Sequence, residues 1–388
     1  MQHIKIQRRL GGLIVVLLLA TGVFSCEEEK KGPKPDEKLS TLGNILTGKS
    51  LETLKSGPYA NLLTTPGYKK YSSQTMSLWS ELMQKSINQI EIWRKTNVTS
   101  AKDKRVFYPF SGPDSLNVLA FFPGARSYLL IGLEDPGEIP DLSKMSDDVI
   151  NDNLNGLQKS LRTLMTLNFF RTNEMKVDFQ KNRINQVSNI VLFFIKMHNC
   201  EIVSGNKVVL NPEGSIIPLE VSYAENMGYE GIEYSFYCNE SRDVQKLTYF
   251  KINLENTRIQ ARPFLQKFIG KQGKFDITML KASSYLMHLP DFAVIRNLIL
   301  DNSNYIMQED SGIPLRYFDN SKWSLNFYGS YVILKMFADQ YQKDFELRMK
   351  KESHGVLPFY YGYGSHFPQN ASNIMIAERI KTENPKAP

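Results

Sequence analysis

VFYPFSGPDSLNVLAFFPGARSYLLIGLEDPGEIP, residues 106–140, decides the fold. Val106–Phe110 is an apolar, β-prone run. Ser111-Gly112-Pro113-Asp114 follows as a turn of small residues ending in an acid. Leu116 to Phe122 then reads as an apolar helix. Tyr128–Leu133 starts a second strand, which Asp135, Pro136 and Gly137 end. Strand signals recur at Val208–Leu210, Glu233–Tyr237, Leu247–Ile252 and Tyr305–Met307. Helical periodicity separates them. Met76, Trp79, Met83, Ile87 and Ile90 recur at helical spacing, and Leu154, Leu157, Leu161, Leu164 and Leu167 line one face of a helix over 147–170. Gln186–Met197 carries a third, more deeply buried helix. Strands alternating with helices predict an α/β fold, a mixed sheet with flanking helices. The polarity between Ile202 and Leu254 predicts an antiparallel, β-rich insertion. Residues 41–70, rich in Gly and Pro, read as an irregular arm on the body.

The deciding stretch has an echo. DFAVIRNLILDNSNYIMQEDSGIP (291–314) also runs from an Asp through an apolar helix to a Tyr-led strand, and also ends in Glu-Asp-x-Gly and Ile-Pro. Asp114 and Asp291 lie 177 residues apart, Glu134 and Glu309 lie 175 apart. This suggests two lobes of related topology, 42–200 and 201–388, made by duplication, with a ligand cleft between them. On that reading, features shared by both copies are architectural. Those present only in the second, Ser311, Arg316 and Tyr317, are the better candidates for function.

The N-terminus reads as an address. Lys5, Arg8 and Arg9 precede twelve mostly apolar residues, Leu13–Phe24, too few to span a bilayer. Val23-Phe24-Ser25-Cys26 resembles a bacterial lipobox, in which Cys26 becomes the lipidated first residue, although Phe24 departs from the usual small residue. Residues 1–25 are then a lipoprotein signal peptide. Residues 26–41, beginning EEEKKGPKPDEK, are a solvated tether. The acidic run resembles surface-export signals of Bacteroidota-type lipoproteins; an outer-membrane lipoprotein facing the periplasm is the alternative. Removing 1–25 lowers the formal charge from +7 to +4. No basic block carries interleaved aromatics, which argues against nucleic acid. Cys200 and Cys238 remain, to form one disulfide or to pack as buried thiols.

No dinucleotide, phosphate-loop, zinc-protease, nucleophile-elbow or EF-hand motif is present, so no cofactor or metal is expected. Tyr331 and Lys335 match a dehydrogenase-like Tyr-x-x-x-Lys only by coincidence. Candidate ligand residues come from three places. Asp114 ends a strand loop and is also suited to cap the next helix. In KASSYLMHLPD (281–291), Lys281, Ser284, Tyr285 and His288 would share one face of a helix. In QEDSGIPLRYF (308–318), Asp310, Ser311, Arg316 and Tyr317 gather around a turn. Arg171 and Glu174 (an ion pair or an anion site) and the tyrosines of YYGYGSHF (360–367) are weaker candidates.

FYPFSGPDSLNVLAFFPGARSYLLIGLE, SLRTLMTLNFFRTNEM, LKASSYLMHLPDF and QEDSGIPLRYFD together resemble a family of uncharacterised exported bacterial proteins, over roughly residues 105–375. That resemblance implies export and a shared architecture, and supplies no catalytic residues. Function is expected to be binding or accessory. The partners would be the membrane through Cys26 and a small-molecule, glycan or protein ligand. One rival is a hydrolase with Asp114 or His288 as base and Ser283 or Ser284 as nucleophile. The other is a structural or assembly lipoprotein.

Overall fold

Four short apolar runs build the centre of the structure, a computed structural model that describes residues 32–49, 52–167, 182–219, 228–238, 243–366 and 370–381. Cys26, Arg171 and Glu174 lie outside these residues. The runs are β1 (Arg105–Tyr108), β2 (Ser127–Gly132), β7 (Ile277–Leu280) and β8 (Tyr305–Gln308). Nearly every residue in them is buried, as expected of strands covered on both faces. Alternation along the strands feeds two cores. Val106, Tyr108, Tyr128 and Leu130 join one, with the helices Pro66–Leu82, Ser115–Phe121, Asp147–Leu167 and Val187–Met197. Phe107, Leu129 and Ile131 join the other, with helices Phe264–Gln272, Ala293–Asn302 and Lys343–Glu352.

The ten strands form one mixed sheet, completed by β3 (Cys200–Leu210), β4 (Ile216–Pro218), β5 (Tyr229–Cys238), β6 (Gln245–Lys251), β9 (Trp323–Gly329) and β10 (Asn373–Arg379). Their order is β4-β3-β5-β6-β2-β1-β7-β8-β10-β9. The five central strands, β6 to β8, are parallel. β3, β4 and β5 add antiparallel on one side, β10 and β9 on the other. The expected α/β class and the antiparallel run between Ile202 and Leu254 are both present.

Three expectations need correction. Residues Pro33–Pro388 form a single compact unit, and β1 and β2, from the first half of the chain, lie between β6 and β7 from the second. Residues 42–200 and 201–388 therefore share one sheet instead of forming separate lobes, and duplication is not shown. The tether expected to reach residue 41 gives way at Glu37 to a helix, Glu37–Thr47, because Asp36 caps Leu39 N–H at 2.9 Å and Leu39 and Leu42 are buried. The irregular arm is helical too. Its Gly48 and Pro66 act as a left-handed C-cap and an N-terminal first-turn residue.

Cys200 and Cys238 face each other at the start of β3 and the end of β5, and are joined as a disulfide. The bridge closes a loop of 38 residues in sequence. The double variant Cys200→Ser/Cys238→Ser is expected to lose about 2–4 kcal/mol of stability. The urea midpoints of the oxidised wild type and of the variant measure it; equal midpoints would mean that the sheet alone holds these strands.

Candidate functional site

β1 leads through the helix Ser115–Phe121 to β2 on one side of it, and β7 leads through Ala293–Asn302 to β8 on the other. The two helices join opposite cores. The boundary between β1 and β7 is therefore a topological switch point. At such a point the two outgoing loops diverge and leave a crevice beyond the carboxyl ends of the strands. A pocket of about 160 Å³ occupies that place, between the loops that follow β6, β2, β1 and β7. Tyr108, Ser111, Asp114, Glu134, Asn253, Lys281 and Ser284 supply its polar lining. Phe110, Leu133, Leu254, Leu286 and Phe292 supply an apolar one.

Asp114 and Lys281 form an ion pair at 2.7 Å, with side chains 5% and 0% exposed. The pair joins the loop after β1 to the loop after β7. Asp114 also receives Asn117 N–H at 3.1 Å, Asn117 Nδ2 at 2.9 Å and the Tyr108 hydroxyl at 3.0 Å. It is thus the expected helix cap and a pocket residue at once. Burying two charges is tolerated only where their remaining hydrogen-bonding capacity is also used, and Asp114 meets that condition.

Lys281–His288 is not the expected helix. Ala282, Ser284 and Tyr285 have φ of 49°, 52° and 54°, and only Leu286–His288 makes a 3-10 turn. Phe110, in the facing loop, has φ 60°. Apart from Asp and Asn, which tolerate this region, these four are the only non-glycine residues with positive φ among the described residues. All four lie in the two loops at the pocket. Such conformations cost of order 1–3 kcal/mol each and persist only where neighbours enforce them.

The enforcing neighbours come from Glu309-Asp310-Ser311, just beyond β8. Ala282 N–H donates to Glu309 Oε1 at 2.8 Å, and Ser283 N–H to Ser311 Oγ at 2.9 Å. The Ser283 hydroxyl donates to the Ser311 carbonyl at 2.7 Å, and the Tyr285 hydroxyl to Asp310. Asn373 Nδ2 holds the other Asp310 oxygen at 2.7 Å. Tyr363 closes the loop from outside, donating to Ala282 O at 3.1 Å and lying 3.1 Å from Ser284 Oγ. QEDSGIP is therefore neither a reactive site nor a bare turn; it is the clamp behind the pocket.

Of the sequence candidates, Asp114, Lys281 and Ser284 line the pocket. Asp310 and Ser311 are buried behind it, and His288 is buried beside Tyr285, ring centroids 5.1 Å apart. Arg316 and Tyr317 do not join it. They lie on the 3-10 turn Leu315–Tyr317, where Arg316 is exposed and the Tyr317 ring meets the Arg316 and Arg296 guanidinium groups at 4.9 and 4.0 Å. Tyr361 and Tyr363 are buried, so YYGYGSHF is no open aromatic platform. Glu134 in the pocket and Glu309 in the clamp were not singled out by sequence. The signal that could have found them is the Glu-Asp-x-Gly that the two stretches share. Comparison of the chain with protein-family models, with curated proteins and with solved structures gives no match.

Burial, together with the neighbouring Asp310, raises the Glu309 carboxyl from its ordinary 4.5 to about 8, and burial raises Asp310 as well. Burial and the Arg316 charge lower His288 to about 4. Because native Glu309 keeps its proton to higher pH than the unfolded chain does, its contribution to stability is full below about pH 4.5 and is lost as pH rises to about 8. His288 has the opposite sign, and its contribution is lost as pH falls from 6.5 to about 4. Above pH 6.5 the acid is left to act without the histidine. Between pH 6.5 and 8, wild-type urea midpoints should therefore fall more steeply than those of Glu309→Gln. Parallel curves would mean that Glu309 does not carry the pH dependence.

Proposed function

We propose that the chain is a lipid-anchored protein of the bacterial cell envelope that binds a small ligand in the pocket at the β1/β7 switch point. One observation carries this reading. Among the described residues, the strained non-glycine conformations outside Asp and Asn are concentrated in the two loops around that pocket, which an ion pair joins and of which an acidic clamp holds the second. Strain of this kind is retained where a particular surface must be presented, and a preformed pocket lowers the entropy cost of binding. The signal-like N-terminus, the lipobox-like Cys26 and the resemblance to exported bacterial proteins support the location.

The hydrolase reading finds less support. Ser283 is joined to Ser311, Ser284 to Tyr363 and Asp114 to Lys281. Among the described residues none of these bonds makes a nucleophile–base pair, which nucleophilic catalysis requires.

Two outcomes test the proposal. A ligand-observed NMR screen of small polar ring fragments should give binders to the wild-type chain that Leu133→Trp loses. Leu133 is 43% exposed and lines the mouth, so filling it should leave stability within about 0.5 kcal/mol. Binders that ignore the substitution would move the site away from the switch point. For the anchor, Cys26→Ser should abolish incorporation of labelled palmitate and release the chain from membranes. Continued membrane partitioning without label would leave an uncleaved leader as the attachment.

A further inference from the structure

The pocket at the switch point carries a charge that the chain does not balance. Asp114, Glu134 and Lys281 are the charged side chains of its lining. Asp114 and Lys281 cancel each other as a buried pair at 2.7 Å. Glu134 remains. It follows β2 by two residues and is 2% exposed. Its Oε2 receives Leu133 N–H at 3.2 Å and lies 3.3 Å from the Tyr249 hydroxyl, which donates to the Glu134 carbonyl at 2.8 Å. Among the described residues Glu134 makes no ion pair, and its Oε1 has no hydrogen-bond partner. The charged residues next to the lining in sequence do not redress the balance. Asp135, Glu255 and Asp291 are acids, and the one base, Lys251, is paired with Asp135. Buried acceptors are otherwise paired, and a buried charge without a counter-charge is costly.

We infer that the pocket receives a small primary amine, a compact apolar body ending in one ammonium group that pairs with Glu134. This rests on the pocket being the ligand site proposed above. Charge selects the sign. An anion is repelled by Glu134 and gains little from Lys281, whose charge Asp114 already answers. A neutral donor could satisfy the open oxygen but would leave the charge unbalanced, whereas an ammonium group does both. A metal ion asks for several ligands, and no group of three His, Cys, Asp or Glu stands together among the described residues. The wall selects the rest of the molecule. Phe110 and Phe292, ring centroids 6.0 Å apart, line the pocket with Leu133, Leu254 and Leu286. Aromatic faces attract a cation, and the aliphatic side chains suit an apolar body. The space sets the size. A cavity of about 150 Å³ holds benzene, roughly six non-hydrogen atoms, and this pocket has about 160 Å³. That is enough for a short branched alkylamine.

The test uses the full chain and three probes of one carbon skeleton: 3-methylbutylamine, 3-methylbutanol and 3-methylbutanoate. They are cationic, neutral and anionic near neutral pH, and their binding is read by calorimetry and saturation-transfer NMR. The amine should bind about tenfold or more tighter than the alcohol, which is about 1.4 kcal/mol. The carboxylate should bind more weakly than either. Glu134→Gln keeps the side-chain size and an oxygen for Leu133 N–H but removes the charge. It should weaken the amine about tenfold and leave the alcohol within about twofold, so that the preference disappears. The ranking of the probes is measured on the unmutated chain and stands whether or not the variant folds. An alcohol or carboxylate that binds as tightly as the amine overturns the inference, as does a folded Glu134→Gln that keeps the preference. If Leu133→Trp blocks that binding, the pocket reading stands without the amine. Amine binding that Leu133→Trp leaves unchanged overturns both. If none of the three probes binds, the amine class falls, and the fragment screen decides the pocket by itself.

Discussion

The Asp114–Lys281 ion pair ties the two halves of the parallel sheet together where the topology pulls them apart. β1 and β7 pair through only two residue positions, Val106 with Ile277 and Phe107 with Thr278. The chain then leaves each strand in opposite directions. Without a link beyond the strand ends, the two loops would be free to splay and the pocket would have no fixed width. A salt bridge in this position does more than a hydrophobic contact of equal size, because it has a set length and direction. It also resists being broken from one side: removing one partner of a buried pair costs about 3–5 kcal/mol, since the survivor is left charged and unpaired. Asp114 carries the constraint onward by capping the helix Ser115–Phe121, so that the strand, the loop and the helix share a single anchor.

Lys281 can hold its place only if the loop that follows it is equally fixed, and that loop is in conformations it would leave if released. The acidic clamp supplies the restraint. Glu309 is fully buried under Gly362, where a Cβ would come within 2.5 Å of Oε2 and where φ is +62°. Glycine is required on both counts. The resulting arrangement is layered: pocket residues in front, strained backbone behind them, and a protonatable acid pair behind that. The raised proton affinity of the clamp follows from its position, since two neighbouring carboxyls removed from water cannot both ionise cheaply.

The class of fold was legible because its determinants are local. Apolar runs such as Tyr128–Leu133 and heptad-like spacing such as Leu154–Leu157–Leu161 carry their own period, and the strands and helices they mark are where they were expected. β7, only Ile-Thr-Met-Leu, and β10, Asn373–Arg379, gave no such signal; their neighbours in the sheet decide them. The supposed helical face of Lys281–His288 failed for a related reason. Spacing alone makes it helical, yet Glu309 and Ser311, more than 25 residues away, capture the N–H groups of Ala282 and Ser283 and turn the backbone left-handed. Single-sequence periodicity has no means of seeing a competitor that arrives from another strand.

The two Glu-Asp-x-Gly stretches make the same point about the site. Both follow a parallel strand closely, Glu134 two residues after β2 and Glu309 one residue after β8, so both carboxylates start near the carboxyl ends of the central strands. Treating the shared residues as scaffold and the differing ones as function holds for Glu309 but not for Ser311 or Glu134. Ser311 serves the scaffold, while Glu134, shared with the second stretch, faces the pocket. What separates Glu134 from Glu309 is the covering each receives from elsewhere. Ala282, Ser311 and Tyr363 close over Glu309 and engage both of its oxygens. Over Glu134 the chain provides Leu133 N–H and Tyr249 for one oxygen and leaves the other without a partner among the described residues. The same motif is fully engaged in one place and partly engaged in the other according to how many donors the surrounding fold brings to it, and that count is a property of the tertiary structure alone.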